Sequence, residues 1–154
     1  MRRLWAASAA IVMCLALGVP ALAQEEAVAV TATQVCSGTP PTLSCDVTAS
    51  DPRVTGTVAV TVGGDVSVPD RAETVMWGDS SLAGPDGDWS GHWTNVWDSQ
   101  GTMHSLTVYT GDGAYEGWTY VTLQTDPSGT ATGDFIGVIY QGPPPPPYGP
   151  ASEK

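Results

Sequence analysis

The chain has 154 residues, of which 16 are Asp or Glu and only 5 are Lys or Arg, so its formal net charge is −11. A surface this acidic repels phosphate backbones and anionic headgroups, which excludes nucleic acid and anionic membrane surfaces as favoured partners. The length suits a single domain with its own core.

Residues 1–23 have the pattern of a secretory signal peptide. Two arginines open the chain, an apolar run follows, and Ala21-Leu22-Ala23 forms a small-x-small cleavage site. We predict cleavage before Gln24 and a secreted protein, extracellular or periplasmic, that does not insert into a membrane. A transmembrane span is the alternative, but the run is short and lacks a basic flank. Cleavage leaves three strong bases against 16 carboxylates, a net charge of −13.

Two cysteines remain after cleavage, Cys36 and Cys45, in the stretch "CSGTPPTLSC". An even cysteine count in a secreted chain favours a disulfide. Gly38, Pro40 and Pro41 favour a chain reversal that brings the two sulfurs together. No CxxC redox motif and no zinc-binding set is present in the sequence, so we predict a structural bridge.

Beyond the signal peptide the chain is rich in Val, Thr, Gly, Asp, Ser and Trp, a composition typical of strands and turns. The stretch "RVTGTVAVTV", residues 53–62, alternates apolar and polar side chains, with Val54, Val58, Val60 and Val62 on one face. This period of two predicts a half-buried strand, which we expect to end at "GGD".

Clusters of Gly, Pro and Asp separate further strands of similar length along the chain. Because the gaps are too short for helical crossovers, neighbouring strands should be antiparallel. We predict an all-β domain over residues 24–141, an antiparallel eight-stranded up-and-down barrel, with a β-sandwich as the alternative. The predicted strands are 26–35, 43–49, 53–62, 72–83, 88–97, 102–110, 115–125 and 131–140.

The segment "GDWSGHWTNVWDSQG", residues 87–101, places a tryptophan at every fourth position, which fits one face of a helix or of a strand. Gly91, Thr94 and Asn95 are poor helix formers, so we predict a strand whose tryptophans point inward. At strand rise the row from Trp89 to Trp97 spans roughly 26 Å, more than one core layer. One of these two end tryptophans should therefore lie at a rim of the barrel.

Residues 142–154, "GPPPPPYGPASEK", form a proline-rich tail. Consecutive prolines cannot donate to a sheet and prefer an extended polyproline conformation. We predict a disordered spacer that follows the domain, with a ligand for a proline-binding partner as the alternative.

Two glycine-aromatic stretches, "GDGAYEGW" (111–118) and "GDFIGVI" (133–139), resemble motifs of allene oxide cyclase-like and dirigent-like barrels. The Cys36…Cys45 pair, "SDPRVTGT" (50–57) and the W-x-G-x-W stretch add to the resemblance, which covers most of residues 34–141. It implies an eight-stranded calycin-like barrel whose characterised relatives bind apolar or phenolic small molecules inside, without a metal. The dirigent motif continues with an Ala-Arg-Gly run, where this chain has Gly117-Trp118-Thr119, so no catalytic residue carries over.

The sequence contains no motif that identifies a catalytic or metal site. There is no G-x-S-x-G elbow, and the two histidines, His92 and His104, lie on neighbouring predicted strands. In a tight hairpin His104 faces residue 95 or 96, which puts the histidines about 10–13 Å apart, too far to share one zinc ion. The Asp-Gly turns lack the ligand spacing of a calcium loop. We predict no metal and no cofactor.

The aromatic residues are the remaining candidates for a binding site, and two interpretations stay open. Tryptophan can simply fill a barrel that is poor in Leu, Ile and Phe, or stacked rings at the barrel mouth can bind a small apolar, phenolic or saccharide ligand. The candidate ligand-binding residues are Trp77, Trp89, Trp93, Trp97, Tyr109, Tyr115, Trp118 and Tyr120.

Three functions follow as hypotheses. The leading one is a secreted, non-catalytic barrel that binds a small molecule or acts as an interaction module. The alternatives are a cyclase- or dirigent-type enzyme acting on an apolar or phenolic substrate, and a structural cell-envelope protein. Arg53 and Arg71 bear on this choice, because an arginine inside the barrel would indicate function. We expect instead a surface pair with Asp51 or Asp70.

Overall fold

The computed structural model describes residues 27–68 and 71–146. The predicted signal peptide and the part of the predicted tail beyond residue 146 lie outside these ranges. Within them, no helix has the length and apolar character needed to cross a membrane. The strands are β1 Val28–Thr39, β2 Thr42–Ala49, β3 Gly56–Val68, β4 Glu73–Ala83, β5 Asp88–Trp97, β6 Met103–Gly111, β7 Trp118–Asp126 and β8 Gly133–Gln141.

The eight strands form one closed antiparallel barrel. Each strand pairs with the next along the chain, and β1 pairs with β8 from Val28↔Ile139 to Gln34↔Gly133. The predicted up-and-down barrel is therefore confirmed, and the sandwich alternative is excluded. Closure also gives every one of these strands a partner on both sides, which removes the exposed edges that invite aggregation.

Strand β3 is longer than predicted. It continues past the Gly63-Gly64 pair to Val68, with a shift of register between Val62 and Gly64. These glycines form a bulge inside the strand and not the predicted end of it. The missing side chain of Gly64 lets the indole of Trp77 on β4 lie across it. A Cβ at Gly64 would stand 2.7 Å from an indole carbon. Glycine inside a strand commonly serves such close approach.

The tryptophans of β5 point into the barrel, as predicted. Along Asp88–Trp97 exposed residues alternate with buried or half-buried ones, and Trp89, Trp93 and Trp97 all fall in the inward set. Trp89 is fully buried, at 0% exposure, whereas Trp97 is only half-buried. The rim position predicted for one of the two end tryptophans therefore belongs to Trp97.

One end of the barrel is closed by two short 3-10 turns, Pro52–Val54 and Gly113–Tyr115. Val54 is fully buried, and the ring of Tyr115 stacks on that of Trp89 with centroids 5.1 Å apart. The indole Nε1 of Trp89 donates to the backbone carbonyl of Arg53 at 2.8 Å. We call these packed residues the plug.

Arg53 pairs with Asp51, one of the two predicted partners, but the pair is partly buried, with side-chain exposures of 27% for Arg53 and 12% for Asp51. Its Nε and Nη2 donate to the two carboxylate oxygens of Asp51 at 3.0 and 2.7 Å, and its guanidinium lies 4.7 Å from the ring centroid of Trp118. The hydrogen bond from Arg53 holds the pKa of Asp51 below its usual value, against an opposing effect of burial. Arg71 is exposed at the β3–β4 turn, and Asp70 lies outside the described residues.

The Cys36–Cys45 disulfide is present, as predicted. The two cysteines are direct partners in the β1–β2 ladder, and Cys45 faces the interior with 3% exposure. The bridge therefore fastens the β1–β2 hairpin from inside the barrel.

Replacing both cysteines with alanine (Cys36→Ala, Cys45→Ala) should lower the free energy of unfolding by roughly 2–3 kcal/mol, because the unfolded chain regains the entropy of a loop of about ten residues. Urea unfolding followed by circular dichroism measures the loss. The matched control is Ser37→Ala with Ser44→Ala, the exposed neighbouring pair of the same ladder. Equal stability of the cysteine variant and this control would contradict the assignment.

Candidate functional site

The barrel interior opens at the end opposite the plug, where the β1–β2, β3–β4, β5–β6 and β7–β8 turns lie. A cavity of about 280 Å³ begins at this mouth, and a smaller hollow of about 40 Å³ lies beneath it, towards the plug. Ligand pockets usually measure about 300–1,000 Å³, so the cavity suits a small molecule. The hollow is large enough for one or two waters, since each needs at least about 10–15 Å³.

Strands β5, β6 and β7 stack their inward side chains in layers, because their cross-strand partners stand side by side. The layers run from mouth to plug as Trp97, Met103 and Asp126; then Asn95, Ser105 and Gln124; then Trp93, Thr107 and Thr122; then Gly91, Tyr109 and Tyr120. The second and third layers carry most of the hydroxyl and amide groups. We call the inward faces of Asn95, Ser105, Thr107 and Gln124 the polar wall.

Strands β2 and β3 line the other side of the cavity with aliphatic groups. Leu43, Val58, Val60 and Val62 contribute to this surface together with the Cys36–Cys45 bridge. We call it the aliphatic wall. The cavity thus has one side that forms hydrogen bonds and one that offers only apolar contact.

Four buried polar atoms in this interior have no hydrogen-bond partner among the described residues: Ser80 Oγ, Asn95 Oδ1, Tyr120 OH and Gln124 Nε2. The residues are largely enclosed, with exposures of 7% for Ser80, 1% for Tyr120 and 7% for Gln124. All four residues line the cavity or the hollow, but each of these atoms has less than 1 Å² of accessible surface. Ser80 Oγ also lies close enough to the Tyr109 hydroxyl to lower the pKa of that phenol, so it is the least isolated of the four. The atoms belong to the packed wall of the interior, where most buried polar groups are paired.

The orientation of the Gln124 amide is determined by its neighbour on β1. Gln34 Nε2 donates to Gln124 Oε1 at 3.0 Å and to the backbone carbonyl of Ala131 at 2.5 Å. A backbone carbonyl can only accept, so it fixes the Gln34 nitrogen in place and makes the Gln124 oxygen the acceptor. Gln124 Nε2 is therefore a buried hydrogen-bond donor with no partner among the described residues.

The two phenols beside the cavity stay neutral. Burial raises the pKa of Tyr109, an effect that the neighbouring Ser80 hydroxyl partly offsets. Burial also raises the pKa of Tyr120, with smaller contributions from Tyr109 and Asp51. Among the residues that line the cavity and the hollow, none is acidic or basic. The interior is therefore uncharged and suits an uncharged ligand.

The eight predicted ligand-binding aromatics fall into three groups. Trp93, Trp97 and Tyr109 line the cavity, and Tyr120 lines the hollow. The plug end holds Trp89, Tyr115 and Trp118. Trp77 lies on the outer face with 44% exposure.

The cavity indoles offer rings and not hydrogen bonds. Trp93 Nε1 donates to the Asp79 carbonyl at 3.1 Å, and Trp97 Nε1 donates to the Gly129 carbonyl at 3.2 Å. Both N–H groups are thereby used by the backbone. What remains for a ligand is the apolar carbon surface, which suits contact with another ring.

Sequence reasoning missed the polar members of the site, namely Gln34, Ser80, Ser105, Thr107 and Gln124. Serine and threonine on a strand usually indicate the face that points to solvent. The sequence shows otherwise only where such a residue lies an even number of positions from an aromatic residue that points inward. In β6, Ser105 and Thr107 have the same parity as Tyr109. That parity was a usable signal.

A larger concavity of about 1250 Å³ lies on the outer face, over β5–β8 and the adjoining part of β1–β2. Three of its apolar members, Val96, Leu123 and Ile136, are solvent-exposed, at 40%, 54% and 60%. It is a broad surface that does not enclose a molecule. We take the lumen as the candidate site because its cavity combines indole and aliphatic surface with hydroxyl and amide side chains inside the barrel.

The histidines lie outside the barrel and apart from each other. His104 stands opposite Val96, as the hairpin geometry predicted, four residues from His92. His92 pairs with Asp79, and His104 lies 3.6 Å from Asp98. Across the described ranges, no three His, Cys, Asp or Glu side chains are grouped to hold a metal ion.

Asp126 organises the β7–β8 turn at the mouth. Its carboxylate accepts hydrogen bonds from the backbone N–H groups of Ser128, Thr130 and Ala131, and from the Ser128 hydroxyl. Burial raises the pKa of Asp126, but these hydrogen bonds outweigh it and leave the pKa below its usual value. The same turn supplies the carbonyls that accept from Gln34 and Trp97, so Asp126 supports the site indirectly.

Asp126→Asn should destabilise the fold at neutral pH by about 1–3 kcal/mol, because a charged acceptor of several hydrogen bonds is lost. A lowered folded-state pKa means that the carboxylate stabilises the fold above its unfolded value of about 3.9 and stops doing so as pH falls through the folded value. The gap between wild type and variant should therefore close below about pH 4.

Urea unfolding at neutral and acidic pH measures that gap. Asp134→Asn on β8 is the control, because this exposed carboxylate accepts one hydrogen bond, from Thr33. A gap for Asp126→Asn that stays constant across the pH range would contradict the role of the carboxylate.

Comparison with known proteins adds no assignment: no protein-family model, curated protein or solved structure matches this chain. The resemblance to allene oxide cyclase-like and dirigent-like barrels stays a prediction. Function must be argued from the geometry of the lumen.

Proposed function

We propose that the protein is a secreted, non-catalytic β-barrel that binds a small uncharged molecule in the open half of its lumen. The observation that carries this proposal is a cavity of about 280 Å³ inside the barrel, whose lining joins indole and aliphatic surface with uncharged hydroxyl and amide side chains. Apolar pockets with a few polar groups are typical binding sites for small molecules.

The composition of the cavity supports a neutral ligand with an apolar body. Indole rings at the mouth and the aliphatic wall favour contact with a ring or a hydrocarbon skeleton. The polar wall offers directed hydrogen bonds, and no charged side chain among the lining residues would hold an ion. Burying an ionised ligand here without a partner would be strongly unfavourable.

Secretion is supported by the signal-peptide pattern of residues 1–23 and by the disulfide, which is typical of oxidising compartments. Binding without catalysis is supported by the chemistry of the lining. The titratable lining groups with a shifted pKa are phenols, and burial holds them in the neutral form. General acid–base catalysis requires groups with pKa values near the working pH.

A cyclase- or dirigent-type enzyme is the second candidate, and the cavity favours it over a purely structural role. Such an enzyme needs an apolar chamber with a few inward polar groups, and this lumen has that character. The two proposals differ in outcome, because a binding protein returns its ligand chemically unchanged. Analysis of recovered ligand by mass spectrometry separates them.

Ser105→Phe should abolish binding, because residue 105 lies in the middle of the polar wall and a phenyl group there fills the cavity. His104→Phe is the matched control, since it places the same ring on the outer face one residue away. The measurement is quenching of intrinsic tryptophan fluorescence, with calorimetry as a second readout, across apolar, phenolic and saccharide compounds.

Wild type and His104→Phe should give the same saturable response to at least one class of compound, and Ser105→Phe should give none. Equal responses from all three proteins would place binding outside the lumen and refute the proposal. So would the absence of any response in wild type across the three classes.

A further inference from the structure

We propose that the edge of β3 beside the barrel mouth binds an extended segment of a partner protein, in which basic and apolar residues alternate. The segment adds a strand to the sheet. Barrel closure gives each strand two neighbours, but it does not pair each strand along its whole length, and β3 outruns β2. This edge lies outside the lumen, so binding there does not require an occupied lumen.

Strand β3 extends well beyond the end of β2. The last pair of the β2–β3 ladder is Thr42↔Thr61, and the last hydrogen bond on that side runs from Val62 N to the Pro41 carbonyl at 2.9 Å. In the part of the chain that the structure describes, the following stretch, Gly63–Val68, pairs with β4 alone. We call its other side the free edge. Every second residue of a strand points its N–H and C=O groups to the same side, so the free edge offers a row of donors and acceptors.

Apolar side chains stand beside the free edge on the outer face of the sheet. Val66, Val75 and Val96 face one another across β3, β4 and β5, and both Val66 and Val96 are exposed. The exposed indole of Trp77 lies across Gly64, which carries its ring towards the free edge. We call these four side chains the apolar shelf. A strand that pairs with the free edge extends the shelf, because outward side chains of neighbouring strands stand side by side.

The charged groups around the free edge are mostly acidic. Asp65 is exposed and lies opposite Met76, whose side chain lines the cavity, so Asp65 has the inward phase at the rim. The residues that follow include Asp70, Arg71 and Glu73, which makes three carboxylates for one base. The net charge of the whole chain is −11. Such a surface attracts a basic segment and repels a second copy of this chain.

These features together define the partner. Its backbone must be extended, because only an extended chain matches the donors and acceptors of the free edge. Side chains alternate between the two faces of a strand, so apolar residues on one face continue the apolar shelf and basic residues on the other approach Asp65. The free edge is short, and Pro69 follows it in the sequence. Both features limit uncontrolled pairing between edges, and they leave the partner few hydrogen bonds, so we expect weak binding.

Hydrogen exchange followed by NMR on the full mature protein tests the free edge directly. The probe is a short peptide that alternates lysine and valine. In the protein alone, the amides of Gly64–Val68 that point to the free edge should exchange faster than those that point to β4. Saturating peptide should slow the fast set by about tenfold or more, because strand pairing protects an amide from exchange.

Two control peptides separate the backbone from the charge, with affinities measured by calorimetry. The same peptide methylated on every backbone nitrogen keeps its charges but has no N–H group to donate. It should bind more than about tenfold more weakly, the loss of two or three net hydrogen bonds. A peptide that alternates glutamate and valine keeps the backbone, and it should bind at least about tenfold more weakly because like charges repel.

Val66→Lys then locates the site on the protein, and Val138→Lys is its matched control. Both changes add one positive charge at an exposed valine of the outer face, but Val138 lies on β8 with β1 and β7 paired beside it. Val66→Lys should lower the affinity for the lysine–valine peptide about fivefold or more, through repulsion and a lost apolar contact. Val138→Lys should change that affinity less than about twofold.

Equal affinity for the methylated and unmethylated peptides would overturn the proposal, and so would slowed exchange confined to residues outside Gly64–Val68. Absence of binding by the lysine–valine peptide in wild type would overturn it as well. Sedimentation of the protein alone gives the remaining outcome. Dimers that form in wild type and are lost in Val66→Lys would assign the free edge to a second copy and overturn the basic partner.

Discussion

The pairing of β1 with β8 is the constraint on which the rest of this structure depends. Once the sheet closes, every second residue of each strand must lie inside a space of fixed width. An eight-stranded barrel is just wide enough for side chains to fill. The identity of the inward residues then decides, layer by layer, whether the interior is solid or hollow.

This barrel is filled unevenly, and the unevenness creates the site. Near the plug, bulky rings meet glycines: Tyr109 lies where a Cβ on Gly91 would be 2.4 Å away, and Tyr120 crowds Gly137 in the same manner. Because aromatic rings pack directly against these glycines, this half of the barrel is densely packed and stabilises the fold. Towards the mouth the inward residues are shorter and more polar, so the same barrel width leaves a cavity. Stability is concentrated at one end, and the other end can carry unpaired polar groups.

The sequence predicted the fold well for physical reasons that are local. Each signal for a strand arises within a few residues. These signals are the alternation of apolar and polar side chains in 53–62, the clusters of turn-forming residues, and the poor helix formers around Gly91. The strand does not end at Gly63-Gly64 as predicted, because the reason for these glycines, the indole of Trp77, lies on another strand. For the site, the distribution of the aromatic candidates among cavity, plug and outer face depends on the register between strands.

What the sequence alone determined is the antiparallel all-β architecture, the disulfide pairing, and the inward face of the Trp89–Trp97 row, since periodicity and short connections allow few alternatives. Only the tertiary structure decided that Trp97 and not Trp89 lies at the mouth. It also decided that Asn95, Ser105 and Gln124 share one row, and that Gln34 fixes which atom of the Gln124 amide is the acceptor. These facts depend on how three or more separate strands align, and barrel closure sets that alignment.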